Sequence, residues 1–108
     1  MTGPTIESLE KLSGTPRDGP LLRYSLGLAY QKRGGQGDRV RAIECLRDAL
    51  RRDPLYSAAW KALGKALLEA SDMQGALAAY RQGIEAARQR GDKQAEKEMS
   101  VFVRRLEK

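Results

Sequence analysis

Histidine and asparagine are absent from this chain of 108 residues, and Cys45 is its only cysteine. One cysteine without histidine cannot supply the usual zinc ligand sets, and the commonest base for a catalytic nucleophile is missing. We therefore expect no metal, no cofactor and no enzymatic activity, and we interpret Cys45 as a half-buried apolar residue. Since no intrachain disulfide can form, the composition favours a reducing, cytoplasmic location.

Long hydrophobic runs are missing as well, because no segment approaches the roughly 18 apolar residues that a membrane-spanning helix needs. Residues 1–4 lack the basic and apolar regions of a secretory signal. Acidic residues are the scarcer charge, since 14 Asp and Glu face 20 Lys and Arg and leave a net charge of +6. We expect one soluble domain, no membrane insertion and a preference for acidic partners.

Apolar residues recur at steps of three and four along the chain, which predicts an all-α protein. Residues 1–12 form a short helical segment with Thr5 as its N-cap. Further helices are predicted over about 20–33, 38–52, 54–70, 72–90 and 92–107. Their expected start signals are proline at a first position or a capping side chain: Pro20, Asp38, Asp53 with Pro54, Ser71 or Asp72, and Asp92.

Two parts of the chain repeat each other, with a small residue at three matching places in each copy. The second copy contains Trp60, Leu63, Gly64, Ala76, Tyr80 and Gly83, and the first contains Leu26, Gly27, Tyr30, Ala42, Leu46 and Ala49. Small residues let two helices approach closely. A helix-pair unit that repeats after about 34 residues is typical of one repeat class, and over residues 20–90 the chain resembles the tetratricopeptide repeat family.

The resemblance implies an all-α fold of two antiparallel helix pairs. The divisions would be an N-terminal segment and loop over 1–19, repeat 1 over 20–56, repeat 2 over 57–90, and a C-terminal capping helix over 91–108, all in one domain. Copy one departs from the pattern because Arg23 occupies the place of Trp60 and the loop at 34–37 is enlarged.

Two repeats are fewer than the roughly three usually needed for stability, so the last helix has to contribute. We expect it to bury Met99, Phe102 and Leu106 against the preceding helix, and to expose Lys93, Lys97 and Arg104. The alternative is self-association through that face, giving a homodimer.

In this family the concave surface comes mainly from the first helix of each pair. The register set by Trp60 and Leu63 assigns to this surface Leu21, Tyr24, Leu28, Gln31, Ala58, Lys61, Lys65 and Leu68. A groove that is apolar on one wall and basic on the other suits a peptide or protein with apolar and acidic side chains. In the alternative, the N-terminal Ile6, Leu9 and Leu12 cover Tyr24 and Leu28, and the two lysines are merely solvated.

A run of basic residues over 39–52 suggests nucleic-acid binding at first sight. Its members are Arg39, Arg41, Arg47, Arg51 and Arg52. Acidic residues interleave with them, Asp48 is spaced to pair with Arg51 and Arg52, and no stacking aromatics accompany them. We interpret the run as a solvated outer face and expect no specific nucleic-acid partner.

The predicted function is a noncatalytic adaptor that binds a protein or peptide, and the alternative is a structural subunit that self-associates or docks through its terminal helix.

Overall fold

The computed structural model of the protein describes residues 5–108, and over that range it contains six α-helices and no strand. The helices are α1 (Ile6–Glu10), α2 (Pro20–Arg33), α3 (Asp38–Arg52), α4 (Ser57–Glu69), α5 (Met73–Arg90) and α6 (Lys93–Leu106). The all-α prediction is confirmed. Residues 1–4 of the predicted N-terminal segment lie outside the described residues.

Capping side chains start three of the helices. Thr5 Oγ1 accepts the backbone N–H of Ser8 at 3.1 Å, and Asp92 Oδ1 accepts that of Ala95 at 3.1 Å. Of the two candidates before α5, Asp72 is the cap, accepting the N–H of Gly75 at 2.9 Å. These side chains satisfy backbone donors that have no partner within the first helical turn.

Helix α4 begins at Ser57, three residues later than the Asp53–Pro54 pair predicts. The Asp53 carboxylate accepts the backbone N–H of Leu55 at 3.1 Å instead of capping a helix. Such a local turn competes with helix formation at aspartate. The indole N–H of Trp60 donates to the Pro54 carbonyl at 2.8 Å and holds this turn against the first turn of α4.

Asp38 is the first residue of α3 and does not cap it, so the predicted role for this residue is wrong. Gly37 is the capping residue, with φ of 81°. The Asp38 carboxylate turns back to the enlarged loop, where it accepts the N–H of Gly35 at 3.0 Å and pairs with Arg33 at 2.7 Å. Arg33 holds the pKa of this carboxyl down at about 2. Asp38 is buried and Arg33 is exposed, and their ion pair fixes the loop that distinguishes copy one.

Each helix packs chiefly against its neighbours in the chain: α2 against α3, α4 against α5, and α5 against α6, with α3 joining the two pairs through α4. The main core lies between α3, α4, α5 and α6, and its largest fully buried side chains are Leu46, Leu63 and Met99. A second apolar cluster, centred on Leu26 and Tyr30, lies beneath α1.

Glycines mark the helix crossings because no Cβ fits there. A Cβ on Gly27 would lie 2.7 Å from Leu46 Cγ, and one on Gly64 would lie 2.5 Å from Tyr80 Cε1. A Cβ on Gly83 would clash with the Met99 sulfur and with Trp60 Cβ. The absence of a side chain at Gly83 therefore lets both α4 and α6 pack closely against α5. The close approach predicted from the small residues is therefore present.

The last helix packs as the capping prediction requires. Met99 is fully buried, while Phe102 and Leu106 are half-buried against the main core. The Phe102 ring lies 5.2 Å from that of Tyr80, centroid to centroid. Lys93, Lys97 and Arg104 are exposed.

An ion-pair cluster explains why copy one has arginine where copy two has Trp60. Arg23 pairs with Asp18 at 2.7 Å and with Asp48 at 3.1 Å, and Arg52 reaches both carboxylates at 3.4 Å. The hydrogen bond from Arg23 is the main reason that the pKa of Asp18 lies at about 2. The cluster ties the loop before α2 to α3, and it includes the pairing of Asp48 predicted for the outer face.

Candidate functional site

Helices α2, α4 and α6 border a solvent-open cavity of about 510 Å³, which we call the central cavity. Its lining residues are Tyr24, Leu28, Gln31, Ala58, Lys61, Ala62, Lys65, Leu68, Tyr80 and Phe102. Six of the seven residues predicted for the binding site are among them, and Ala58 is another predicted member of the concave surface. The exception is Leu21, which is 67% exposed and does not line the cavity.

The floor and one wall of the central cavity are apolar and aromatic. Tyr80 is 3% exposed and forms the floor beside Phe102. Tyr24 is held in the wall by Tyr56, with ring centroids 5.0 Å apart and an interplanar angle of 41°. Leu28 is 38% exposed and presents its side chain at the opening. An apolar side chain entering from solvent would therefore meet preformed apolar surface.

Tyr80 and Phe102 are lining residues that the register argument misses. That argument considers only the first helix of each pair, whereas Tyr80 lies on α5 and Phe102 on α6. A sequence signal for α6 does exist. Ala59 and Leu63 are buried in α4, and Ala95 and Met99 repeat the same spacing and burial in α6. By this spacing, α6 corresponds to α4, the first helix of repeat 2. It therefore occupies the position that the first helix of a third repeat would have.

The two lysines on the opposite wall differ in their surroundings. Lys61 Nζ donates to Glu98 Oε1 on α6 at 2.8 Å, and the same carboxylate accepts from Gln94 Nε2 at 3.2 Å. The Lys61 hydrogen bond, followed by that of Gln94, lowers the pKa of Glu98. Lys65, one turn further on, is exposed and has no ion-pair partner among residues 5–108. Of the two lysines of the predicted basic wall, the charge of Lys61 is therefore already neutralised by Glu98, and that of Lys65 is not.

The described part of the N-terminal segment does not cover this cavity. Ile6 and Leu9 pack on the face of α2 that carries Leu22 and Leu26, and the Tyr30 hydroxyl donates to the Glu10 carboxylate. Tyr24 and Leu28 lie on a different face of α2. Leu12 packs against the same cluster, so the alternative in which Ile6, Leu9 and Leu12 cover these two residues is wrong.

A second cavity, of about 430 Å³, lies along the outer face of α6 and shares Lys61 and Phe102 with the central cavity. We call it the α6 cavity. Its other lining residues are Gln94, Lys97, Glu98, Val101 and Arg105. Because the two cavities share Lys61 and Phe102, they adjoin each other.

Other candidate chemistry is sparse in the described part of the chain. Residues 5–108 hold no cluster of three or more side chains that could ligate a metal. Cys45 is half-buried, and its burial is the main reason that the thiol pKa is raised. None of the helices between residues 5 and 108 has both the length and the apolar character to span a bilayer.

Comparison with known proteins decides the family. Residues 24–91, more than half of the chain, match the family model for the tetratricopeptide repeat. The chain belongs to the tetratricopeptide repeat family. A repeat-containing protein of Pseudomonas aeruginosa that carries the same family name is 48% identical over 103 residues, which is 95% of either chain.

Solved structures agree with this tetratricopeptide repeat assignment. A Bordetella parapertussis protein, determined in solution, is 42% identical with a TM-score of 0.78, over 97% of this chain and 89% of its own. The crystal structure of a tetratricopeptide repeat domain protein of Salinibacter ruber is 27% identical in sequence, with a TM-score of 0.73. The match covers 83% of this chain and 97% of the Salinibacter chain. Tetratricopeptide repeat proteins generally mediate protein–protein interaction and are typically noncatalytic.

Proposed function

We propose that this tetratricopeptide repeat protein is a noncatalytic adaptor that holds a segment of a partner protein in the central cavity. The observation that carries the proposal is an open apolar cavity bordered by an exposed lysine. Ligand sites typically enclose roughly 300–1,000 Å³, and the central cavity has about 510 Å³. A cytoplasmic location for this activity stays a prediction.

Apolar contacts would supply most of the affinity. Leu28, Leu68 and the aromatic pair Tyr80 and Phe102 line the cavity, so a leucine or phenylalanine of the partner would be largely desolvated there. Burial of one such side chain is worth about 1.5–3 kcal/mol. Two anchors of this kind would contribute about 3–6 kcal/mol before the cost of association, so further contacts are needed for a stable complex.

Charge would select the partner. Lys65 is exposed without an ion-pair partner among residues 5–108, and the net charge of the chain is +6. An acidic residue near the anchor would gain attraction to Lys65 and faster association. The proposed partner segment therefore carries apolar and acidic side chains.

Selection from a displayed library of random peptides tests this function. We expect wild-type protein to enrich peptides that combine leucine or phenylalanine with aspartate or glutamate. The best enriched peptide, labelled with a fluorophore, is then titrated with protein variants. Leu28→Asp should weaken binding by at least about tenfold, because it removes apolar contact and adds a like charge beside the acidic probe.

Val40→Asp is the matched control, because Val40 is 60% exposed on α3 and lines neither cavity. It should leave the affinity within about twofold, as surface substitutions usually have small effects. Failure to enrich any peptide, or equal losses in the two variants, would sink the proposal.

Self-association through the terminal helix is the second hypothesis, and the contacts of α6 argue against it. Met99 is fully buried within the chain, and Phe102 and Leu106 are half-buried against its main core, so much of the face named in this hypothesis is covered by the chain itself. Light scattering on a size-exclusion column tests it. A stable dimer that Phe102→Asp dissociates would favour this hypothesis over the adaptor.

A further inference from the structure

Helix α6 repeats the surface register of α4. Two residues after the buried Ala59 and Leu63 of α4 come Lys61 and Lys65, which line the central cavity. Two residues after the buried Ala95 and Met99 of α6 come Lys97 and Val101, which line the α6 cavity. The last helix therefore continues the row of lining positions and does more than close the core.

We propose that the α6 cavity is the anion-recognising end of the binding surface, where Lys97 and Arg105 receive acidic side chains of the partner segment whose apolar residues fill the central cavity. This inference rests on the proposed function and names a site and a partner chemistry within it. Phe102 and Lys61 belong to both cavities, so one segment can run across them without leaving the surface.

The charges around the α6 cavity are unbalanced. Lys97 and Arg105 are exposed, and neither has an ion-pair partner among residues 5–108. The one acidic lining residue, Glu98, is already bonded to Lys61 at 2.8 Å. Val101 lies one helical turn from each of the two free cations and offers apolar contact between them. The cavity is therefore complementary to acidic side chains spaced around an apolar one.

Two other occupants fit the same charges less well. A second copy of this chain carries a net charge of +6 and would be repelled. A nucleic-acid backbone would be attracted, but the described lining residues of the α6 cavity include only one aromatic side chain on which a base could stack, Phe102. The ring of Phe102 is half-buried against Tyr80, so a peptide segment is favoured over nucleic acid.

Glu98 is the internal competitor of the partner. Its carboxylate holds Lys61 in the place where a partner carboxylate would bind, and both side chains are partly exposed at 42% and 38%. Removing the charge of Glu98 releases Lys61 and adds a third cation to the surface. Glu98→Gln should therefore strengthen binding of an acidic peptide severalfold, and a misfolded protein cannot produce such a gain.

The test uses the labelled peptide enriched by wild-type protein and a version of it in which every Asp and Glu is replaced by Asn and Gln. Lys97→Glu/Arg105→Glu should weaken the acidic peptide by about tenfold, because two attractive exposed pairs become repulsive. The loss should shrink as salt is added and be small for the uncharged peptide. Lys93→Glu/Arg104→Glu is the matched control, with the same charge change on the same helix at positions outside the α6 cavity.

The outcomes separate the two proposals. Equal losses in both double variants, or no gain in Glu98→Gln, would overturn the role of the α6 cavity, while an effect of Leu28→Asp would leave the adaptor function standing. Enrichment of peptides without acidic residues would overturn both the role of the α6 cavity and the proposed preference for an acidic partner, and would leave only apolar binding in the central cavity. Failure to enrich any peptide would sink both proposals. Tight binding of a DNA oligonucleotide that is lost in Lys97→Glu/Arg105→Glu would assign the surface to nucleic acid and refute the peptide inference.

Discussion

Replacing Gly64 with alanine tests how tightly α4 and α5 cross. A Cβ at this position would lie 2.5, 2.6 and 2.7 Å from three atoms of the Tyr80 ring. Carbon atoms in favourable contact are about 3.5–4.0 Å apart, so the ring would have to retreat by about 1 Å. Tyr80 is 3% exposed and its ring packs beside that of Phe102, so the movement would disturb buried contacts.

Two effects of opposite sign determine the result of Gly64→Ala. Alanine is favoured over glycine in a helix interior by about 1 kcal/mol. Overpacking a core costs about 1–3 kcal/mol, and the upper figure applies because the obstacle is a rigid, buried aromatic ring. The free energy of unfolding should therefore fall by about 2 kcal/mol, which lowers the melting temperature by about 8 °C for a domain of this size.

Urea unfolding followed by far-ultraviolet circular dichroism measures the change in free energy. The same substitution is then made in a Tyr80→Leu background, where the ring atoms that block the Cβ are gone. There Gly64→Ala should be neutral or stabilise the protein by up to about 1 kcal/mol. If the substitution stabilises both backgrounds by the same amount, close contact with Tyr80 is not the reason for glycine at this position, and the reasoning is refuted.

Three further predictions concern the core, the ion pairs and the thiol. Met99→Ala should lower the free energy of unfolding by about 2–5 kcal/mol, because Met99 is fully buried, and Leu106→Ala should cost less in the same urea titration because Leu106 is half-buried. Asp18 and Asp38 have a pKa of about 2 instead of 3.8, so the stability they contribute is present above pH 3.8 and lost as the pH falls towards 2. Thermal melts across this pH range should show a shallower fall for Asp18→Asn/Asp38→Asn than for wild type, and parallel curves would contradict the prediction. Cys45 should react with a thiol reagent more slowly in the folded than in the urea-unfolded protein, since burial raises its pKa; equal rates would show that the thiol is not shielded.

The helices could be predicted because their signals are local. Caps such as Thr5 and Asp92 act on the next turn, and the apolar period sets which face each helix buries. The start of α4 could not be predicted, because the Asp53–Pro54 pair serves a turn equally well as a helix N-terminus. The role of Asp38 could not either, because its partner Arg33 lies across the loop on the previous helix.

The lining of the candidate site could be predicted as far as it depends on helix register. Once Leu63 is assigned to the core, the period fixes the direction of Lys61, Lys65 and Leu68, and all three line the central cavity. The Lys61–Glu98 pair spans 37 residues of chain and depends on how α6 lies against α4, which no local pattern records. For the same reason the contribution of Phe102 to the cavity emerges only from the tertiary structure.

The neighbour-to-neighbour packing of the helices has a consequence for motion. Contacts that are mostly local in sequence allow fast folding and let the ends of the array open before the middle does. Helix α6 is at one end of the array and is held mainly by α5, so we expect it to open more often than the helices between α2 and α5. Each such opening would remove Phe102 and Lys97 from the binding surface. A partner that spans both cavities would then slow amide hydrogen exchange most strongly in α6. Its binding affinity would be reduced by the free energy needed to hold α6 in the docked position.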